Sequence, residues 1–137
     1  MNDTDWEFYL NELIKYCLSQ QIQIVFEKGP LWENYDSDTQ TIQINTQRTK
    51  ENQVYILLHE IGHYKIFKDE FLSEKFAPLL EKKKCNLSNQ ILELEEEIMA
   101  WHLGEKIARM FYIPLDLKYQ VLKSKCLKTY IRQLRTV

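Results

Sequence analysis

The chain has 137 residues, 45% of them hydrophobic, which is enough for one domain with a buried core. Eighteen Lys and Arg residues against 20 Asp and Glu residues give a formal charge of −2, which does not favour direct nucleic-acid binding. The three cysteines form no CxxC pair, and no apolar run is long enough to span a bilayer. The N-terminus is acidic and amphipathic, unlike a secretory signal. Together these features predict one cytoplasmic domain over residues 1–137 with no membrane partner.

The first part of the chain predicts a helix followed by a small antiparallel sheet. A capping box at residues 4–7 precedes apolar residues at helical spacing, which predicts a helix to about Gln20. Residues 21–26 then alternate between polar and apolar side chains, as in a half-buried strand. The segment 31–45 contains two further strand patterns around the turn residues 36–39, which predicts a β-hairpin.

The second part of the chain predicts helices. Thr49 is placed to cap a helix with one apolar face, and the mixed segment 67–88 reads as a loop with room for a short helix. A long helix is predicted from about residue 88 to 111, closed by Pro114. The tail, 115–137, is basic and amphipathic and predicts one or two helices docked on the domain. A helix, a sheet and then helices indicate an α+β fold.

The predicted third element carries the sequence His59-Glu60-Ile61-Gly62-His63. Residues four apart stack on one helix face, so both histidines can present a ring nitrogen to the same metal ion. Glu60 then stands beside the ion as a general base, while zinc lowers the pKa of its water. Glycine costs a helix interior about 1 kcal/mol relative to alanine, so Gly62 predicts that another element approaches closely.

Catalytic zinc takes three protein ligands, and two histidines leave the site one short. We predict that the third is Glu97, because Ala100, Gly104 and Ala108 lie three, seven and eleven residues further along the same helix face. A strip of small side chains lets this helix pack against Gly62 and brings its carboxylate to the metal. The alternatives that remain open are Asp69, Glu93, Glu96 and His102.

These two helices resemble the ImmA/IrrE-type metallopeptidase domain. LLHEIGHY at 57–64 is similar to the family's HExxH helix, and EIMAWHLG at 97–104, followed by Pro114, is similar to its downstream E-x-E-A-x-x-F-A helix. If the family's third ligand is the first Glu of that motif, it falls on Glu97. The second motif departs from the family pattern at Met99, Leu103 and Gly104.

The resemblance covers roughly residues 20–115 and implies a compact gluzincin-like fold with zinc as cofactor. It implies a metallo-endopeptidase from a family found in bacteria, phages and mobile elements. Several members act on a transcriptional repressor or regulator, so the expected partner is a specific intracellular protein. The alternative is a catalytically silent zinc-binding or protein-interaction module, which would have no need for Glu60.

Two further features of a peptidase site are predicted. An edge strand near the motif helix can hold the substrate as an added β-strand, and Thr41–Asn45 is the candidate strand. A donor for the developing oxyanion is also required, and the sequence does not choose among Tyr55, Tyr64 and Tyr112.

Overall fold

The computed structural model describes residues 2–29, 34–80 and 86–134. The helices and strands in these ranges are α1 (Asp3–Ser19), β1 (Gln23–Glu27), β2 (Asn34–Asp36), β3 (Thr41–Asn45), α2 (Lys50–Lys68), α3 (Glu70–Phe76), α4 (Leu87–Met110) and α5 (Leu117–Gln133). A 3₁₀ turn, Ala77–Leu80, follows α3. The predicted α+β class is confirmed. None of the described helices is both long and apolar enough to cross a membrane.

Helix α1 starts two residues earlier than its predicted capping box. The side chain of Asn2 accepts a hydrogen bond from the backbone N–H of Asp5 at 3.1 Å, and the Asp5 carboxylate accepts one from the N–H of Asn2 at 3.3 Å. The predicted cap at residues 4–7 is wrong because Asn2, an equally good cap, comes first in the chain. The buried residues of the helix keep the predicted spacing: Trp6, Leu10, Leu13 and Cys17.

The sheet is mixed rather than purely antiparallel. The predicted hairpin is present, since β2 and β3 pair antiparallel, but β1 pairs parallel with β3 and the strand order is β1-β3-β2. The prediction of an antiparallel sheet assumed that neighbours in sequence also pair in space. Here the chain reverses twice, and β3 enters between the two earlier strands. Its inward side chains, Ile42 and Ile44, are fully buried.

Helices α2 and α4 pack closely together through glycines. The N-cap prediction for α2 is confirmed, because the Thr49 side chain accepts a hydrogen bond from the N–H of Asn52. A Cβ atom placed on Gly62 would lie 1.9 Å from the carbonyl oxygen of Ala100. A Cβ placed on Gly104 would lie 2.5 Å from the carbonyl oxygen of Leu58. The close approach predicted from Gly62 is therefore present, and α4 is the element that makes it.

The connecting segment holds more helix than expected. The predicted loop 67–88 contains the end of α2, all of α3 and the 3₁₀ turn, and α4 begins at Leu87. The charged residues 81–84 and Cys85 lie outside the described residues. Up to residue 134, where the described residues end, the tail forms a single helix, α5, which is capped by Asp116 and tied to α4 by the Lys123–Glu105 ion pair at 2.7 Å.

Candidate metal centre

Helix α2 presents the motif residues on a buried face. His59 and Glu60 are 9% and 4% exposed, and the His63 side chain is 16% exposed. The two imidazole rings lie edge to face with centroids 4.7 Å apart. One potential ligand atom from each of His59, Glu60 and His63 lies within 4.8 Å of the others. The i, i+4 spacing has thus placed both rings at one point on the helix surface.

Glu97 reaches this point from α4. Its Oε2 atom lies 2.8 Å from His59 Nε2, and its Oε1 atom lies 3.1 Å from His63 Nε2. Glu97 is 7% exposed, which is rare for a carboxylate and requires partners of this kind. The contact follows from the close packing at Gly62 and Ala100, which brings the two helix backbones together three residues from Glu97.

Three of the four alternative third ligands lie elsewhere or contact other atoms, and the fourth, Glu93, is half-buried on α4 one turn before Glu97. Asp69 is exposed and caps α3 by accepting a hydrogen bond from the N–H of Leu72 at 2.8 Å. His102 is exposed and lines a separate groove. Glu96 does reach the centre, but its Oε1 atom lies 3.0 Å from His63 Nδ1, on the far side of the ring from Nε2.

The far side of the His63 ring and one face of the His59 ring are held by protein groups. His63 Nδ1 has Glu96, and the Glu60 carboxylate lies 3.4 Å from His59 Nδ1. Trp101 stacks on the His59 ring with centroids 4.2 Å apart and planes 13° apart. A carboxylate on Nδ1 fixes the tautomer and the orientation of a ligating histidine. The two Nε2 atoms are therefore the ones turned toward Glu97.

The carboxylates also set the protonation of the cluster. Burial lowers the pKa of His63, but hydrogen bonds with Glu96 and Glu97 outweigh it and raise the pKa well above its usual value. Burial likewise lowers the pKa of His59, and Glu60 and Glu97 raise it overall. Burial raises the pKa of Glu97, yet hydrogen bonds with both histidines hold it below the usual range. A cation entering the centre therefore competes with protons on the imidazoles.

The donor set fits a metal ion such as zinc. Two imidazoles and one carboxylate form a known ligand set for catalytic zinc, and ligand atoms in a tetrahedral zinc site lie about 3.3 Å apart. Glu97 Oε2 lies 2.8 Å from His59 Nε2 and Glu97 Oε1 lies 3.1 Å from His63 Nε2, so each imidazole faces a different carboxylate oxygen at a distance close to that spacing. The three side chains thus converge on one point as a candidate ligand set.

The sequence prediction missed one residue of the centre, Tyr130 of α5. Its hydroxyl group donates a hydrogen bond to Glu97 Oε1 at 3.0 Å. The three tyrosines considered for the oxyanion are not at the centre. Tyr55 donates to Asp116, the Tyr64 hydroxyl points to Gln20, and Tyr112 is 89% exposed.

A cleft of about 380 Å³ opens onto the motif residues. Its lining includes the apolar residues Ile66, Phe67, Phe76 and Leu80, together with Asn34, Tyr35 and Ser37 at β2 and its turn. The predicted substrate strand, Thr41–Asn45, is wrong for that role. It forms β3, the central strand, which pairs with β1 along Thr41–Asn45 and with β2 along residues 41–43, so neither edge of residues 41–43 is open to a peptide. The edge strand at the cleft is β2.

Comparison with known proteins identifies a peptidase family over the segment that carries the motif residues. A family model for M78 peptidases, described as the IrrE N-terminal-like domain, matches residues 17–122. No curated protein and no solved structure matches the chain significantly. The matched segment includes α2 and α4, which carry both histidines and Glu97, and it supports a metallopeptidase-type function in general. The chain belongs to the M78 peptidase family with the IrrE N-terminal-like domain.

Proposed function

We propose that the chain is a zinc-dependent endopeptidase that hydrolyses peptide bonds in a specific intracellular protein. One observation carries the proposal: His59 Nε2 and His63 Nε2 both meet the Glu97 carboxylate beside an open cleft, with Glu60 next to them. Family membership supports the peptidase chemistry in general. A silent scaffold would not need an acid at position 60 of the buried motif.

His59, His63 and Glu97 are the residues that would hold the ion. Zinc bound there supplies Lewis acidity and lowers the pKa of a water molecule toward neutrality. Glu60 lines the cleft and is close to the same ligands, so its carboxylate can take a proton from the attacking water and return it to the leaving amine. Glu96 and Trp101 keep the two imidazoles in place during the reaction.

The substrate is proposed to bind in extended form along β2. This strand is the edge of the described sheet on the cleft side, and an extended peptide can add to such an edge through backbone hydrogen bonds. The apolar residues that line the cleft offer a place for a large apolar side chain near the scissile bond. The substrate class is therefore an unfolded or loop segment of a protein with an apolar residue at the cleavage site.

The cellular setting is part of the same proposal. The buried Cys17 is a free thiol, which fits a reducing compartment such as the cytoplasm. The resemblance to ImmA/IrrE-type peptidases supports a transcriptional repressor or regulator as the substrate protein. Cleavage of such a protein would change gene expression without any contact between this chain and DNA.

The first experiment measures metal content by mass spectrometry after purification with equimolar zinc. We expect about one zinc ion per chain in the wild type and loss of zinc in His59→Ala and Glu97→Gln. Glu95→Gln is the matched control, because Glu95 lies on the same helix but is exposed and pairs with Lys75. Zinc retained in Glu97→Gln would contradict the ligand set.

The second experiment measures cleavage of a peptide library and uses Glu60→Gln. This variant should keep its zinc and lose turnover by several orders of magnitude, because the proton acceptor is gone. Cleaved peptides should carry a large apolar residue next to the cleaved bond. A fully active Glu60→Gln variant would refute the mechanism, and zinc binding without any metal-dependent cleavage would favour the silent interaction module.

A further inference from the structure

Tyr130 reaches the metal centre from the last helix, beyond the segment matched by the family model. The match ends at residue 122, whereas Tyr130 lies two turns further along α5. Its hydroxyl group donates to Glu97 Oε1 at 3.0 Å and lines the same cleft as Glu60. The C-terminal helix therefore contributes a polar group to the centre in addition to its packing.

The position of Tyr130 follows from how α5 docks. Asp116 caps the helix, and Tyr119, at 1% exposure, fixes its first turn in the core. The Tyr119 hydroxyl and the Lys123 ammonium group both donate to Glu105 on α4. Tyr130 is eleven residues after Tyr119, which is about three helical turns, so both side chains lie on the docked face.

The hydrogen bonds of Glu97 indicate what Tyr130 does. Glu97 Oε2 faces His59, while Glu97 Oε1 is shared between His63 and Tyr130. An imidazole nitrogen that binds a metal ion is deprotonated and can no longer donate to a carboxylate. Among the described residues, Tyr130 is then the donor that remains on Glu97. A phenylalanine would fill the same space without this bond.

We propose that Tyr130 is a positioning residue, which holds one oxygen of Glu97 so that the other is directed to the metal ion. The inference rests on the proposed metal site, but it concerns metal binding and needs no substrate. It makes α5 a required part of the centre. Partners on ligating carboxylates of this kind typically change metal affinity by about 10- to 100-fold when removed.

The test compares Tyr130→Phe with Tyr119→Phe in the full-length chain. Both variants remove one hydroxyl group that donates from α5 to a glutamate on α4, but Tyr119 contacts Glu105 rather than Glu97. Zinc dissociation constants are measured by competition with a chromophoric chelator, and the visible spectrum of the Co²⁺-loaded protein reports the ligand arrangement. Urea unfolding of the chelator-treated proteins shows that both variants fold.

We expect Tyr130→Phe to raise the zinc dissociation constant by about 10- to 100-fold and to alter the Co²⁺ spectrum, with Tyr119→Phe remaining within about twofold of the wild type. An unchanged affinity and spectrum in Tyr130→Phe would overturn the inference, even if that variant were less stable, since the residue would then only pack. A wild-type chain that binds neither Zn²⁺ nor Co²⁺ would overturn both the proposed function and this inference. A wild type that binds zinc, with an unchanged Tyr130→Phe variant, would overturn this inference alone.

Discussion

Replacing Gly62 with alanine should destabilise the protein and weaken its metal site, although alanine is the better helix former. The new Cβ atom would lie 1.9 Å from the carbonyl oxygen of Ala100, whereas real Cβ contacts are essentially never shorter than 3.0 Å. Helices α2 and α4 must therefore separate locally by at least about 1.1 Å. The obstacle is backbone, so no side-chain rotation can relieve it.

The expected loss of stability is about 2 kcal/mol. Overpacking a core costs about 1–3 kcal/mol, and a backbone clash of this depth belongs at the upper end. The gain in helix propensity from Gly to Ala is about 1 kcal/mol and only partly offsets it. The same separation moves His59 and His63 away from Glu97, which they contact at 2.8 and 3.1 Å, so zinc affinity should fall at least about tenfold.

Urea unfolding and zinc titration of the same samples measure both effects. The double variant Gly62→Ala with Ala100→Gly should show no rescue, because the Ala100 backbone and not its methyl group is in the way. Gly104→Ala, whose Cβ would meet the Leu58 carbonyl oxygen at 2.5 Å, should cause a smaller loss. The reasoning fails if Gly62→Ala is as stable as the wild type and binds zinc equally well.

Three further outcomes are expected. Asp116→Ala should lower the free energy of unfolding by about 1–2 kcal/mol, because the N-cap of α5 is lost. Asp116→Asn should retain most of the wild-type stability, because asparagine is also a good N-cap; equal losses for the two variants in urea titrations would contradict this. Burial raises the pKa of Glu105, but Lys123 and Tyr119 lower this pKa overall. The Glu105 carboxylate therefore stabilises the folded protein above its pKa in the unfolded chain, and this contribution is lost as the pH falls through its pKa in the folded protein. Glu105→Gln should flatten the acid side of the stability–pH curve, and parallel curves would refute the pairing. Burial raises the pKa of the Cys17 thiol to about 12, so alkylation at pH 8 should proceed only as fast as unfolding, and rapid labelling of the folded protein would argue against it.

Local signals in the sequence predicted the helices well. The Thr49 cap, the end of α4 before Pro114 and the apolar spacing of α1 depend on neighbours within one or two turns, and the structure contains all three. The link between Gly62 and the small side chains after Glu97 also came from the sequence. Small residues at helical spacing are visible in the sequence of a single helix, and such a row predicts that the backbone of a second helix packs against it.

The strand order of the sheet could not be predicted from local sequence signals. Alternation of apolar residues identifies which face of a strand is buried, but it does not identify the neighbouring strands. The order β1-β3-β2 places Thr41–Asn45 in the middle and β2 at the edge, and this reversed the expected substrate strand. The pairing is decided by the path of the chain between strands, which is a property of the whole fold.

The sequence by itself predicted the HExxH residues, the helices that carry the candidate ligands and Glu97 as the third candidate ligand, because each prediction rests on helical periodicity and on the space required by small side chains. Only the tertiary structure decided that Glu96 holds the far side of His63 and that Tyr130 donates to Glu97. Periodicity predicted that the amphipathic tail would dock on the domain. The partner of a hydroxyl group at the end of a docked side chain depends on the rotation and translation of two helices, which no local pattern encodes.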